Sequence, residues 1–519
     1  MFKFAFFCAY SFNNLFMLYH FGLLFIQICL FWRFFWKERL TNIVFWLIFP
    51  LSIVLYFTGL SSDIANMSDL LFYVSRDFLT ISLSATFLFI AIRFGQFILP
   101  ASLLLFIGTI SLHYYLPGKF TFQALKLEDT AEIIMLVKKD YFQPSEVKNI
   151  TSVISMSNAF YPERYNHTDL DDYIKLDVNI TTYSNWNNLL NQLRKLQGVV
   201  HIEPNSVYHL NLPGSKWPEN PGLKPPITKD PLSGNQWALN KLNIIGLNDV
   251  LSKNTWTKRK KGLLAILDTG IDKNHEDLFS HFRSISTGAD MDPKGHGTHC
   301  AGIASAVTGN NLGIASLNTT DAFFDISSIR VLNAAGYGTK ETIVDGIIEA
   351  VDKGATVISL SLGGPGNPFH QRIYKKAVAY AASKGCIVVV AAGNSNRNAK
   401  EFSPANVTGV ITVSAVDENL AKASFSNKVS EIKMAVSAPG VNILSTLPNN
   451  QYGVLSGTSM ATPYVASLIA IMKSVHPTLS AKEAYLILSN TGLETQNTLQ
   501  TGKFIQPKRA LENILKIKD

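Results

Sequence analysis

The sequence predicts an α/β fold, a mostly parallel sheet flanked by helices, preceded by an apolar helical region and a small α+β domain. Three observations carry this expectation. Short runs rich in Val, Ile and Leu at 263–267, 357–360, 387–390 and 410–413 alternate with helical patterns at 342–353 and 373–384. Such alternation argues for parallel strands covered on both faces. Residues 1–116 are crowded with Phe, Leu and Ile; their only basic residues besides His are Lys3, Arg33, Lys37, Arg39, Arg76 and Arg93, and their only acids Glu38, Asp63, Asp69 and Asp77. Between the two regions, 128–210 combines short strand-like runs with one helical pattern.

The chain of 519 residues has room for several domains, one with a sizeable core. Its formal charge of +8 comes without a dense basic stripe or a repeated basic and aromatic pattern, which argues against a nucleic-acid partner. Four cysteines, Cys8, Cys29, Cys300 and Cys386, are too few for a disulfide scaffold. Small apolar neighbours make Cys300 and Cys386 read as buried hydrophobes before they read as a bridge.

In chain order, 4–32, 40–62 and 94–116 are uncharged and long enough to span a bilayer, while 78–92 needs flanking residues near Arg76 or Arg93 to do so. About four transmembrane helices are therefore expected over 1–116. A signal peptide over 1–32 and a buried helical bundle are the competing readings. A single early cation, Lys3, and no neat cleavage site speak against the first, and the scarcity of charge speaks against the second. Basic loops holding Arg33, Lys37, Arg39 and Arg93 would lie in the cytoplasm, so four spans return the chain to the outside at Pro117. This predicts a multi-pass membrane protein with the lipid bilayer as a partner and an extracytoplasmic C-terminal domain, and the loss of one span inverts the topology.

A short connector, 117–127, leads to the α+β segment 128–210. Strands are expected at 133–137, 173–178 and 199–202. Apolar Trp186, Leu189, Leu190, Leu193 and Leu196 mark a helix over 186–196. The last strand runs into Glu203-Pro204-Asn205. A linker follows at 211–235, with Pro213, Pro218, Pro221, Pro225, Pro226 and Pro231, a composition open to proteolysis.

The chemistry sits in 236–495, leaving 496–519 as a C-terminal tail. Leu267-Asp268-Thr269-Gly270-Ile271 places an Asp at a strand end, where by itself it reads as a cap or turn residue. Gly295-His296-Gly297-Thr298-His299-Cys300-Ala301-Gly302 offers two histidines three residues apart. Gly457-Thr458-Ser459-Met460-Ala461-Thr462-Pro463 reads as a Gly turn entering a packed helix with Ser459 at its start. Each alone is compatible with structural Gly and satisfied polar groups.

Together and in the order Asp, His, Ser, these motifs resemble the subtilisin-like serine peptidase family, the subtilases. The resemblance covers about 236–495 and implies a subtilisin-like α/β fold. It implies a serine endopeptidase that acts on protein or peptide substrates through an acyl-enzyme intermediate. Ser459 is then the nucleophile, His296 the general base, and Asp268 the group that holds the imidazole. His299 is the competitor for the base and takes a structural role by resemblance. Asn394, in Ala391-Ala392-Gly393-Asn394-Ser395, is implied as oxyanion donor. Ser361, Leu362, Gly363 and Gly364 are implied to pair with extended substrate. No concentrated acidic motif lies there, so a broad, apolar-tolerant preference is expected.

The same resemblance makes 128–210 a propeptide-like inhibitory domain, the chain's own partner, with a spacer or interaction module as the other reading. A membrane-tethered precursor cut within 211–235 follows. Catalysis needs no cofactor. A structural Ca2+ is implied at Gln236, Asp277, Asn310, Leu312 and Ile314, although capping and turn contacts also explain these side chains. Tyr464 and Ser467 stand where the family more often has His and Gly. The alternative function is a catalytically inactive membrane interaction or sensor protein on the same fold; the intact Asp268, His296, Ser459 and Asn394 argue against it.

Overall fold

The computed structural model describes residues 131–160, 170, 172–179, 183–214, 224–254, 259–320, 322–366 and 371–516. Its first element is a four-stranded antiparallel sheet of β1 (Ala131–Val137), β2 (Val153–Asn158), β3 (Tyr173–Val178) and β4 (Val199–Pro204), in the order β2-β3-β1-β4. Side chains along a strand alternate between faces. Ile133, Met135 and Val137 of β1 accordingly pack under the helix Tyr183–Leu193, against Trp186, Leu189 and Leu193. Ile134 and Leu136 point the other way and join a cluster with Ile373 and Tyr374 of the next domain. The chain then forms β5 (Val207–His209).

The larger domain is built on a seven-stranded sheet. Its strands are β6 (Gly262–Asp268), β7 (Phe324–Arg330), β9 (Val357–Leu360), β11 (Ile387–Ala391), β13 (Ile411–Val416), β14 (Ala435–Pro439) and β17 (Lys503–Phe504), in the order β17-β14-β13-β11-β9-β6-β7. Every pairing between neighbours in this sheet is parallel. The alternation of side chains divides one strand between two cores. Leu264 and Ile266 face the helices His296–Ser305 and Thr458–Val475, whereas Ala265 and Leu267 face Lys340–Asp352 and Arg372–Ser383. Residues apolar on both sides explain why these strands read as unbroken apolar runs. Strand β17 and the helix Pro507–Lys516 add Phe504, Ala510, Leu511 and Ile514 to the first of these cores.

The expected α/β fold carries antiparallel pieces as well, so its sheets are mixed. Besides the sheet at 131–204, these are the pair of β8 (Tyr337–Thr339) with β5, the pair of β10 (Gly364–Pro365) with β12 (Phe402–Ser403), and the hairpin of β15 (Ile443–Leu447) and β16 (Gln451–Leu455). The expected transmembrane region is corrected as well. Residues 1–116 lie outside the described residues, and among the described residues no helix is long and apolar enough to cross a membrane. The apolar helix Thr458–Val475 belongs to a protein core, where Val465, Leu468 and Ile469 are fully buried. The bilayer as a partner and the multi-pass, extracytoplasmic location rested on those spans and are withdrawn with them.

Candidate active site

Asp268 ends β6 at the carboxyl edge of the sheet, and its side chain is completely buried. One oxygen, Oδ1, accepts from His296 Nδ1 at 2.7 Å and from the Thr269 amide at 2.8 Å. His296 opens the helix His296–Ser305 behind Gly295, whose φ of 87° suits glycine. Burial works against a charged imidazole here, but the Asp268 charge and hydrogen bond outweigh it, with help from Asp292, and raise the pKa of His296. With Nδ1 committed to the carboxylate, Nε2 has no partner and is left to exchange a proton. His299, on the same helix, bonds through Nε2 to the Gly453 carbonyl at 3.1 Å, and burial pushes its pKa down to about 3.

One residue that the motifs did not single out organises this corner. Asp292 is nearly buried and accepts from Thr269 Oγ1, the amides of Lys294, Gly295 and Thr298, and Thr298 Oγ1, at 2.7–3.1 Å. It therefore satisfies amides at the start of the His296 helix and ties that helix to Thr269. An Asp four residues before His296 is the signal the sequence carried.

Ser459 is the second residue of the helix Thr458–Val475, and its Oγ donates to the Ser361 carbonyl at 3.0 Å. Asn394 follows β11, and its Oδ1 accepts from both the amide and the hydroxyl of Thr458 at 2.8 Å. These bonds fix the amide plane and turn Nδ2 toward the cleft. A side chain at Gly457 would come within 3.3 Å of that Nδ2. Ser361, Leu362, Gly363 and Gly364 continue from β9 along one rim, with Ser361 Oγ donating to the Ser459 carbonyl at 2.8 Å. Asn394, Ser459 and Ser361 to Gly364 share the lining of a cavity of about 320 Å³ with Val207 to Asn211. Tyr464 is buried in the core, and Ser467 Oγ donates to the Ala304 carbonyl, so both departures serve packing behind Ser459.

Cys300 and Cys386 are free and buried. Cys300 Sγ donates to the Ser459 carbonyl, and burial raises its pKa well above the ordinary thiol value. Its sulfur lies with the Asp268 and His296 ligand atoms inside 4.8 Å. A neutral thiol that spends its proton on a carbonyl is a packing group there.

The residues named for calcium are brought to one region but play different parts. Asp277 is fully buried and accepts from Asn310 Nδ2 and the Ile314 amide, each at 2.9 Å. Asn310 Oδ1 takes the Leu312 amide, and Leu312 is exposed. Gln236 spends its side chain on the Ala315 backbone, as donor at 2.9 Å and acceptor at 2.8 Å. Asp230, which sequence reasoning passed over inside the Pro-rich linker, is also fully buried and accepts from the Gly309 amide. Burial, with the Asp230 charge as a lesser contribution, pushes the Asp277 pKa up to about 7. Asp277 and Asp230 are thus two buried carboxylates in this region, whereas the Gln236 amide is already used on the Ala315 backbone.

The model of the subtilase family matches residues 259–506. Thermitase of Thermoactinomyces vulgaris is 45% identical over 217 residues, covering 41% of this chain and 74% of that protein. Subtilisin DY of Bacillus licheniformis is 40% identical over 250 residues, covering 46% of this chain and 86% of that one. A solved structure titled as proteases from Pseudoalteromonas arctica PAMC 21717 is 28% identical, with a TM-score of 0.48 over 55% of this chain and 99% of that chain. The chain belongs to the subtilase family. It is a serine endopeptidase, and the subtilase fold implies no catalytic cofactor.

Proposed function

We infer that peptide hydrolysis runs through Ser459, His296 and Asp268, with Asn394 and the Ser459 amide stabilising the oxyanion. The observation that carries this reading is the buried 2.7 Å bond between Asp268 and His296 Nδ1, which commits one ring nitrogen and leaves the other for a proton. His296 Nε2 takes the Ser459 hydroxyl proton as Oγ attacks the substrate carbonyl carbon, and returns it to the leaving amine. Asp268 holds the tautomer and stabilises the imidazolium. As negative charge grows on the substrate oxygen, a donor already aimed by Thr458 needs no reorganisation to meet it. Substrate lies extended along Ser361 to Gly364. The described lining of the cleft contains Leu362 and Phe402 and no carboxylate, which supports a broad, apolar-tolerant preference.

The domain 128–210 acts as an inhibitory propeptide, because the strand that leaves it lines the cavity beside Ser459. Asp277 and Asp230, with Asn310 and the Ile314 and Leu312 carbonyls, would hold a structural Ca2+, which would stabilise the loop at 309–315. Expression of the full chain and of Ser459→Ala, followed by peptide hydrolysis, tests the catalytic reading. The variant should lose about 10⁶-fold in turnover, a magnitude known from subtilisin itself. Hydrolysis at the wild-type rate by the variant would sink the serine mechanism.

A further inference from the structure

We propose that Lys422 is a positioning residue for the oxyanion donor, its ammonium acting as a tethered cation that holds the turn at 423–428 to the loop carrying Asn394; this rests on the role given above to Asn394. That loop, 392–397, leaves β11 and is stitched to the turn along its length. Asn427 Oδ1 accepts from the amides of Ser395 and Arg397 at 3.1 and 2.9 Å, and its Nδ2 donates to the Ala392 carbonyl at 2.8 Å. Backbone amides continue the seam, from Asn396 to the Phe425 carbonyl, from Asn427 to Gly393 and from Lys428 to Arg397, at 2.7–2.9 Å. Asn396 holds a left-handed φ of 52°, which asparagine tolerates better than most residues. Where the turn goes, the Asn394 backbone follows.

Oxygens from both sides of the seam converge on one point. Lys422 Nζ donates to Asn396 Oδ1 at 2.9 Å, to the Ala423 carbonyl at 3.0 Å and to the Ser426 carbonyl at 2.8 Å. An ammonium is a compact charge that only donates, so each of its protons meets one of these oxygens. The Ala423 and Ser426 carbonyls belong to the turn and the Asn396 amide to the loop, so a single charge joins the two. All these dipoles present their negative ends to the same place. Without a cation they repel one another and turn toward water. No carboxylate among the described residues pairs with Lys422, and burial and the Lys428 charge both lower its pKa. Its stem is set by a bridge to Val416 beyond β13 and by the Ala423 amide, which donates to the Ala415 carbonyl at 3.0 Å.

An oxyanion donor works only if it is in place before the charge develops. Thr458 fixes the Asn394 amide plane from its Oδ1 side, and the seam fixes the backbone from which that side chain extends. With the ammonium gone, the seam loosens on the side of the loop, and Nδ2 shifts against Ser459. The rim at Ser361 to Gly364, where substrate lies, has no part in the seam. Lys422 therefore acts on kcat, through Asn394, and leaves KM alone.

The test compares the full chain as wild type, Lys422→Met, Lys422→Ala, Asn394→Ala and the double variant of Lys422→Met with Asn394→Ala. Peptide hydrolysis is measured well below each melting temperature. Lys422→Met keeps the stem and loses the charge, and should lower kcat about 10–100-fold with KM little changed. In the Asn394→Ala background the same change should cost less than about twofold, because the donor it positions is already gone. Lys422→Ala opens the space beyond Cβ, and n-propylammonium should restore its kcat severalfold where 1-propanol does not. The wild type in the same solutions corrects for capture of the acyl-enzyme by the amine. Wild-type kcat in Lys422→Met, or a loss that multiplies in full with that of Asn394→Ala, overturns the proposal and leaves Asn394 as the donor. Equal effects of amine and alcohol overturn it too, since the charge is then not what acts. So does a Lys422→Met chain that fails to fold, because positioning one loop leaves the sheet intact. Wild-type kcat in Asn394→Ala overturns the oxyanion reading and this inference together.

Discussion

Replacing Asn394 with Ala removes the Nδ2 donor proposed for the oxyanion and the Oδ1 acceptor that the structure pairs with Thr458. Nδ2 is the donor in the cleft, and its loss should cost about 2.7–4 kcal/mol of transition-state stabilisation, a magnitude known from subtilisin. Turnover should then fall roughly 10²–10³-fold. Oδ1 is the acceptor for the Thr458 amide and hydroxyl, both at 2.8 Å, and Thr458 is fully buried. Leaving those donors unpaired should cost about 1–3 kcal/mol of stability. In a domain of this size that lowers the melting temperature by roughly 2–10 °C. Asn394→Asp separates the effects, since a carboxylate keeps the acceptor and loses the donor. Steady-state kinetics on a peptide and thermal unfolding, measured on the same preparations, form the assay. Both variants should lose kcat with KM changed little, and Ala should lose more stability than Asp. Unchanged kcat in Asn394→Ala, or a loss confined to KM, would refute the assignment of Nδ2 to the oxyanion.

Two further outcomes follow from charge. The base must be neutral to accept a proton, so kcat/KM should fall as pH drops through the pKa of His296, which is raised above 6.5. Asp292→Asn removes an anion that raises that pKa, so the acid limb should move to lower pH; a limb that stays in place would count against Asp292 as a positioning group. Asp277 binds its proton more tightly folded than unfolded, with a pKa of about 7 against 3.8. Without a cation, stability should therefore decline as pH rises from about 4 through 7. Asp277→Asn should flatten that decline and abolish stabilisation by added Ca2+, both read from melting temperatures; a full calcium effect in the variant would remove Asp277 from the site.

Much of the framework was legible because buried parallel strands are apolar on both faces. The runs at 263–267, 357–360 and 387–390 fall within β6, β9 and β11, and the helical pattern at 373–384 nearly coincides with Arg372–Ser383. β7, Phe324–Arg330, was not legible, since Asp325, Ser327, Ser328 and Arg330 break its apolar pattern. The apolar content of 1–116 suggested a lipid environment, but a hydrophobic run by itself does not say what will cover it. Thr458–Val475 is also largely apolar, and protein covers it.

The sequence by itself pointed to the catalytic class through a resemblance, since the motifs around Asp268, His296 and Ser459 stand in the order that the subtilases share. Only the tertiary structure decided what those residues meet. Asp268 and His296 share a bond across 28 positions of chain, and Asn394 reaches the Asn211 carbonyl across 183. Contacts at such separation depend on how strands stack and which face each side chain takes. Local pattern fixes the face, and only packing fixes the neighbour.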